Sequence, residues 1–481
     1  MQNVSPTTPA NDWLSRPLGF AARLDWEKTA YLLILIVAIV SRFWALGDRA
    51  VSHDESLHTQ YAYQYYNGEG YVHTPLMHGP FLFHVTALSY WLFGHSDFTA
   101  RIPVAILGIV VIFMPYFVRE WIGRRGAVVA SFLLLISPYI TYYSRYIRHD
   151  IFAIISALIV FTATWHYLRD GWQKGENSLY WFAFGLGWLF CTKEVSFIYV
   201  AIFGSFLAYR LFMQVIFAPW FGQEWRKIIT PLLVILFGVL LFGGGYLTQS
   251  RLEERMATAE INPTEQAQFA VDPTNPVEEV PVDNATTVAG VTAMRWVQVV
   301  GIIALGMGLF LVASTWRAHL QDLPEFDLII LYATLVIPSV TPLLVYIAGW
   351  NPLDYNLSQC FVEGQETMGA FAAFWAKLFN GECWSIFLQS GIMRTALFAV
   401  PILGISIAVG LWWNGRVWLI SAAIFHIVFT LLHTALFTNP SGWASGTIGA
   451  LGYWLEQHEV QRGSQPWFYY SFVTTFYEFC R

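Results

Sequence analysis

Charged side chains are scarce in this sequence: Asp, Glu, Lys and Arg make up 12% of 481 residues, while 56% are hydrophobic. Soluble domains carry about a quarter charged residues, so the deficit excludes a chain that keeps its whole surface in water. The basic residues are outnumbered by the acidic ones, 26 to 32, for a net charge of -6. That balance excludes a nucleic-acid partner held by a broad basic face. Cysteine is equally sparse, four in all. Cys191 falls in an apolar run and Cys480 at the far end, whereas Cys360 and Cys383 share one loop and could pair if it meets an oxidising compartment. The opening segment, MQNVSPTTPANDWLSRPLGF, lacks a charged region followed by an apolar core. No cleavable signal is read there, and the first apolar run is expected to act as the insertion signal. No internal repeat at a fixed period is visible.

Long apolar runs are what the sequence has instead. Crossing roughly 30 Å of hydrocarbon takes about 20 apolar residues, and eleven runs approach that length. They are Thr29–Leu46, Ile102–Val118, Ala127–Tyr143, Ile151–Tyr167, the shorter Leu179–Cys191, and Val195–Phe217. Ile229–Leu247, Val297–Trp316, Leu328–Ile347, Ile392–Trp413 and Val417–Phe437 follow. Aromatic residues reach 17%, which suits a protein anchored at two water–lipid interfaces. The expected fold class is therefore an all-α, polytopic transmembrane bundle. Arg119, Arg124, Arg125, Arg169, Lys174, Arg210, Arg226 and Lys227 concentrate in alternate short loops. Positive-inside logic puts those loops and the N-terminal segment 1–28 in the cytoplasm. The body of the bundle is 29–438, with the long loops 47–101, 248–295 and 348–390 outside and an extracytoplasmic segment at 439–481. In the first of these loops, Asp54–Tyr66 and Phe81–Phe93 read as amphipathic helices along the interface. Gln249–Asn284, acidic and rich in Pro, Thr and Ala, reads as a mobile exterior segment.

The polar residues that remain cluster on the outer side. Ser52-His53-Asp54-Glu55 places two carboxylates at a helix start, where the helix N-terminus favours their negative charge. Either could take a proton from a hydroxyl. Ser52 and Glu55 also have the spacing of a capping box, which would give Glu55 a local structural role. Six histidines share this loop: His53, His58, His73, His78, His84 and His95. Asp54 and His58, four apart, could present one face to a divalent metal ion, the candidate cofactor; interfacial histidine packing is the alternative. The loop Ser144-Arg145-Tyr146-Ile147-Arg148-His149-Asp150 carries two arginines against the positive-inside trend. Charge that breaks the rule marks a functional candidate, and a guanidinium fork fits phosphate. Asp150 could pair with an arginine or face the cavity beside Asp54. In Cys191-Thr192-Lys193-Glu194, Lys193 could hold phosphate or be neutralised by Glu194. Charge clustered at one membrane face suits an enzyme that takes a phosphorylated lipid.

His53–Glu55, Met77–His84 (MHGPFLFH), Phe93–Pro103 (FGHSDFTARIP), Ser144–Phe152 (SRYIRHDIF) and Cys191–Glu194 (CTKE) together resemble the C-type, or GT-C, glycosyltransferases. This class includes protein O-mannosyltransferases and the lipid A aminoarabinose transferase. With NPLDY (Asn351–Tyr355) and YWLEQHEVQRGSQPWFYY (Tyr453–Tyr470), the chain is most similar to the flippase activity-associated protein family. The resemblance implies a multi-spanning cell-membrane enzyme that moves one sugar from a polyprenyl phosphate to an extracytoplasmic glycan, lipid or protein. It implies Asp54 as the acidic residue of the first loop, and His78-Gly79-Pro80 as the stretch where relatives carry a basic residue and prolines near the donor phosphate. Gly79 departs from that pattern, standing where mannosyltransferases often have a first proline. A further span or soluble domain is expected after PWFYY, and this chain stops at Arg481. With no WWDYG-like motif, an oligosaccharyltransferase role is not expected.

The sequence thus nominates Asp54, Glu55 and Asp150 for catalysis and Arg145, Arg148, Lys193 and His78 for the donor phosphate. A transporter would instead place charges near mid-bilayer between broken half-helices. A non-catalytic subunit of a membrane complex would keep the same motifs.

Overall fold

The computed structural model describes residues 25–174, 176–269, 284–354, 360–389 and 391–457, with isolated positions from 466 to 471. The described residues are helices and connecting turns. α1 (Trp26–Phe43) leads through a loop to α2 (His53–Tyr66) and α3 (Phe81–Phe93), which pack together. α4 (Asp97–Phe113), α5 (Arg119–Ile136), the short α6 (Pro138–Tyr143) and α7 (Asp150–Asp170) follow. α8 (Asn177–Phe190) and α9 (Ser196–Ile216) complete the N-terminal half.

Among the described residues, seven helices are long and apolar enough to cross a membrane, counting the two that contain breaks as one each. These two account for pairs of the expected runs. The stretch Asp97–Ile136 breaks at Gly123, whose φ of 77° is open to glycine but costly for other residues. Beyond the break the chain folds back, so Ile112 and Leu135 share a buried cluster with Ile34 and Ala38 of α1. Gly391–His433 breaks at Asn414, and Trp418 lies against Gly410. The runs at Thr29–Leu46 and Leu179–Cys191 are also helical, but α1 carries Glu27, Lys28 and Arg42, and α8 has only 14 residues. The span count from sequence and from helix length therefore differ for identifiable reasons.

The expected exterior loop at Gln249–Asn284 is corrected. Ile229–Phe269 is one helix that continues past the apolar run, because Gln249, Arg251, Glu253 and Glu254 are good helix formers next to a preformed helix. Residues 270–283 lie outside the described residues. This helix packs along Asn284–Thr315. A side chain at Gly238 would come 2.8 Å from the Gly301 carbonyl, and one at Gly301 would come 2.7 Å from Phe242 N. Small residues let these backbones meet, the usual basis of helix association in lipid. Cys360 and Cys383 form a disulfide.

The two ends of the bundle differ. At one, Arg124 pairs with Glu27 (2.5 Å) and Asp25 (2.7 Å), Arg210 pairs with Glu325 (2.8 Å), and Arg169 pairs with Glu120. Close by, Tyr167 and Trp413 donate to Asp327 at 2.6 and 2.7 Å. At the other end, the starts of α2, α7 and α9 gather the charged residues of the three nominated segments.

Candidate active site

Glu55 and Asp54 are neighbours in sequence but part in space. The capping box forms: Ser52 Oγ accepts from Glu55 N, and Ser52 N donates to Glu55 Oε2 at 3.1 Å. This turns the Glu55 side chain inward, where it is fully buried. The buried Arg101 donates to both of its oxygens at 3.1 Å, from Nε and Nη2. Arg49 adds a contact at 2.9 Å, and Ile147 N donates at 3.2 Å. Burial raises the Glu55 pKa, but hydrogen bonds from Arg101, Ser52 and Ile147 outweigh it, and the net shift is downward. Glu55 therefore ties α2 to α4 and to the Arg145–Asp150 loop. It does not open onto the Asp54 cluster, because its lone pairs are already spent.

Asp54 points the other way and stays 42% exposed. Arg148 Nη1 lies 3.2 Å from Asp54 Oδ2, and Arg148 Nε lies 3.8 Å from Asp150 Oδ2. Lys193 Nζ donates to Asp150 Oδ1 at 2.9 Å. Three separate segments thus meet as a chain of alternating charge, Asp54–Arg148–Asp150–Lys193. Asp150 Oδ2 is buried with no hydrogen bond of its own. Beside this chain, His78 Nδ1 sits 2.5 Å from Glu194. Lys193 and Glu194, which could have neutralised each other, are instead committed to different partners.

The loop carrying His78 is docked by its backbone. Gly79 N donates to Thr192 O (3.1 Å) and Phe81 N to Cys191 O (3.0 Å). A side chain at Gly79 would lie 2.3 Å from the Cys191 carbonyl oxygen. Proline here would lose the first bond and collide, which gives a physical reason for the departure from the mannosyltransferase pattern. His78 itself holds φ 66° and ψ -162°, a conformation that costs a non-glycine residue of order 1–3 kcal/mol and that gathers at functional sites.

Arg145 lies apart from the other nominated cations. Its guanidinium donates to Ser41 O (2.7 Å) and Ala45 O (3.2 Å), capping the carbonyls at the end of α1. Cations are favoured at a helix C-terminus, so Arg145 secures a helix end and stands outside the acid–base cluster. His58 is buried, edge-on to Phe83 and to His149 at centroid distances of 5.8 and 5.0 Å. Burial above all, then its neighbours His78, Arg148 and Lys193, push its pKa down to about 4 against the opposing pull of Asp54. Among the described residues, no three His, Cys, Asp or Glu side chains converge as a metal-binding group.

Residues missed at the sequence level stand behind the nominated ones. His149 Nε2 meets Gly79 O at 3.0 Å, and its ring lies 5.4 Å from that of His78. Arg101 carried a signal, an arginine opening an otherwise apolar helix. His73 had none: its Nδ1 meets Ser445 Oγ at 2.7 Å, and its ring lies against His433.

Residues 77–242 match the family model described as dolichyl-phosphate-mannose-protein mannosyltransferase. This stretch opens at the His78 loop and contains Arg101, Arg148, Asp150, Lys193 and Glu194. The match covers about a third of the chain's 481 residues. The apolar helices suit a chain that crosses a membrane several times. No curated protein sequence matches it. Among solved structures it is similar to the archaeal oligosaccharyltransferase AglB from Archaeoglobus fulgidus, in complex with an inhibitory peptide and a dolichol-phosphate. The identity is 13% and the TM-score 0.37, over 96% of this chain and 55% of that one. It is also similar to ArnT from Cupriavidus metallidurans bound to undecaprenyl phosphate, with 16% identity and a TM-score of 0.31 over 90% and 79% of the two chains. The chain spans 55% of the length of the archaeal enzyme.

Proposed function

We propose that this chain is a glycosyltransferase of the GT-C kind, which transfers a single sugar from a polyprenyl phosphate to an acceptor hydroxyl or amine on the extracytoplasmic face of the cell membrane. One observation carries the reading: Arg148 lies between Asp54 and Asp150, with Lys193 on the far side of Asp150, at one end of the bundle. The acceptor oxygen or nitrogen attacks the anomeric carbon from the face opposite the phosphate. The C–O bond to the phosphate breaks, its electron pair leaves with the phosphate oxygen, and the anomeric centre inverts. Asp54, the open carboxylate, takes the acceptor proton. Arg148 and Lys193 stabilise the charge on the departing phosphate, and His78 approaches from the adjoining loop. Asp150 holds both cations in place and sets their direction, while Glu194 orients His78.

The cations are engaged by carboxylates before any donor arrives; the singly charged phosphodiester of the donor competes for them by guanidinium geometry, and the second negative charge that appears as the phosphate departs strengthens its hold. The sidedness rests on the basic residues gathered at the opposite end. The test is transfer from a panel of radiolabelled polyprenyl-phosphate sugars in proteoliposomes, with wild type and Asp54→Asn in parallel. Transfer by wild type that Asp54→Asn abolishes supports the reading. No transfer from any donor, in protein that still binds polyprenyl phosphate, overturns it.

A further inference from the structure

Away from the charge cluster lies a cavity of about 530 Å³. It is walled by Ile229–Phe269 and Asn284–Thr315, by the residues after Thr341–Ile347, and by Glu456 of Ala450–Gln457. It falls in the range of about 300–1,000 Å³ typical of small-ligand sites. One wall is a hydrogen-bonded relay. Gln298 Nε2 donates to Gln249 Oε1 at 2.5 Å, and Gln249 Nε2 donates to Glu253 Oε1 at 2.8 Å. Arg295 donates to that same Glu253 oxygen at 3.2 Å. Gln298 is buried. The relay uses one acceptor oxygen on Gln249 and one on Glu253, and Gln298 Oε1 and Glu253 Oε2 take no part in it. Tyr246, Tyr346 and Trp350 supply aromatic faces to the same space.

We infer that this cavity holds the end of the acceptor remote from the group that attacks the donor, and that this end is an uncharged or amino sugar. This rests on the glycosyl-transfer reading above. Sugar rings present C–H faces that stack on aromatic side chains, and hydroxyls that bond to amides and carboxylates. An anion is disfavoured because the lining sets two carboxylates, Glu253 and Glu456, against one arginine, Arg295. The phosphate-bearing donor belongs with Arg148 and Lys193 instead. The cavity is also well placed. Ala450–Gln457 packs on Thr341–Ile347 and on the Pro75–Met77 turn that precedes His78. Gly452 lies so close to Leu353 and Pro352 that a side chain there would come within 3.2 and 3.3 Å of them. A single short helix therefore bridges the cavity and the loop of His78.

The test is saturation-transfer NMR on detergent-solubilised protein with chitobiose, lactose and mannobiose as probes. At least one should bind saturably in the millimolar range. Tyr246→Ala and Glu253→Ala should each weaken binding about tenfold, the scale of one lost stack or charge-assisted hydrogen bond. Tyr246 is 58% exposed, so its removal leaves the packing intact. Asp54→Asn should keep sugar binding while losing transfer. Absence of binding by all three probes, or full affinity in both cavity variants, overturns the assignment. So does binding that is lost only in Asp54→Asn, which would put the sugar at the charge cluster. Saturable binding that both cavity variants weaken, without transfer from any donor, supports this site and counts against the transfer reading instead.

Discussion

Replacing Glu55 with Gln separates an architectural role from a chemical one. If Glu55 merely capped α2, the change would be mild, because loss of a cap costs about 1 kcal/mol and an amide retains the shape. The surroundings predict otherwise. The carboxylate is fully buried and takes two hydrogen bonds from a buried guanidinium, one from Arg49 and two from backbone N–H groups. Gln turns one acceptor oxygen into a donor that faces other donors, and it leaves Arg101 as an uncompensated buried charge. Breaking such a pair costs about 3–5 kcal/mol. The expected outcome is a large fall in thermal unfolding temperature in detergent, with donor affinity lost in proportion to the unfolded fraction. Arg101→Met in the same chain should recover much of the loss, since removing both charges removes the penalty. A Glu55→Gln protein of wild-type stability that binds donor but has lost turnover would refute the architectural assignment and return Glu55 to the chemistry.

Further outcomes follow from the same geometry. Gly79→Ala should destabilise the protein by about 1–3 kcal/mol, the usual cost of overpacking, and Gly79→Pro by more, because the bond to Thr192 is also lost; wild-type melting of both in detergent would contradict the docking. Arg148→Ala should weaken binding of undecaprenyl phosphate by roughly 1.5–3 kcal/mol, the worth of a charge-assisted hydrogen bond, while Arg145→Ala leaves that affinity unchanged; equal losses measured by calorimetry would undo the distinction. Burial pushes His58 and His73 down to about 4, below the ordinary histidine value of about 6.5. The unfolded chain therefore takes these protons first, and stability should fall as pH drops from about 6.5 towards 4, by up to roughly 1.4 kcal/mol per unit for each histidine. A melting temperature that stays flat across that window would show that neither ring is buried as described.

Much of the architecture was legible because lipid imposes one strong rule, that a span be long, apolar and helical. The helices Asp54–Tyr66 and Phe81–Phe93 were readable from their punctuation: Ser52 before one, Pro80 before the other, Gly94 after. The span boundaries at Gly123 and Asn414 were not resolved as breaks inside continuous helices, since a local backbone angle leaves little trace in hydropathy. At the site, the sequence grouped the right segments but could not say which charge meets which. Arg145 and Arg148 look alike in a short loop, and only the turn at Tyr146–His149 sends one to the end of α1 and the other to Asp54. Partners hundreds of residues apart, such as His73 and Ser445, leave no local pattern.

Turnover of Asp54→Asn and Glu55→Gln, each in protein shown to be folded and to bind polyprenyl phosphate, tests the central claim most directly. The account predicts that Asp54→Asn, stable and donor-binding, loses on the order of 10²–10⁴ in kcat, as removal of a general base typically does. It predicts that the folded fraction of Glu55→Gln turns over at close to the wild-type rate. Near-normal kcat in Asp54→Asn, together with its loss in folded Glu55→Gln, would contradict it.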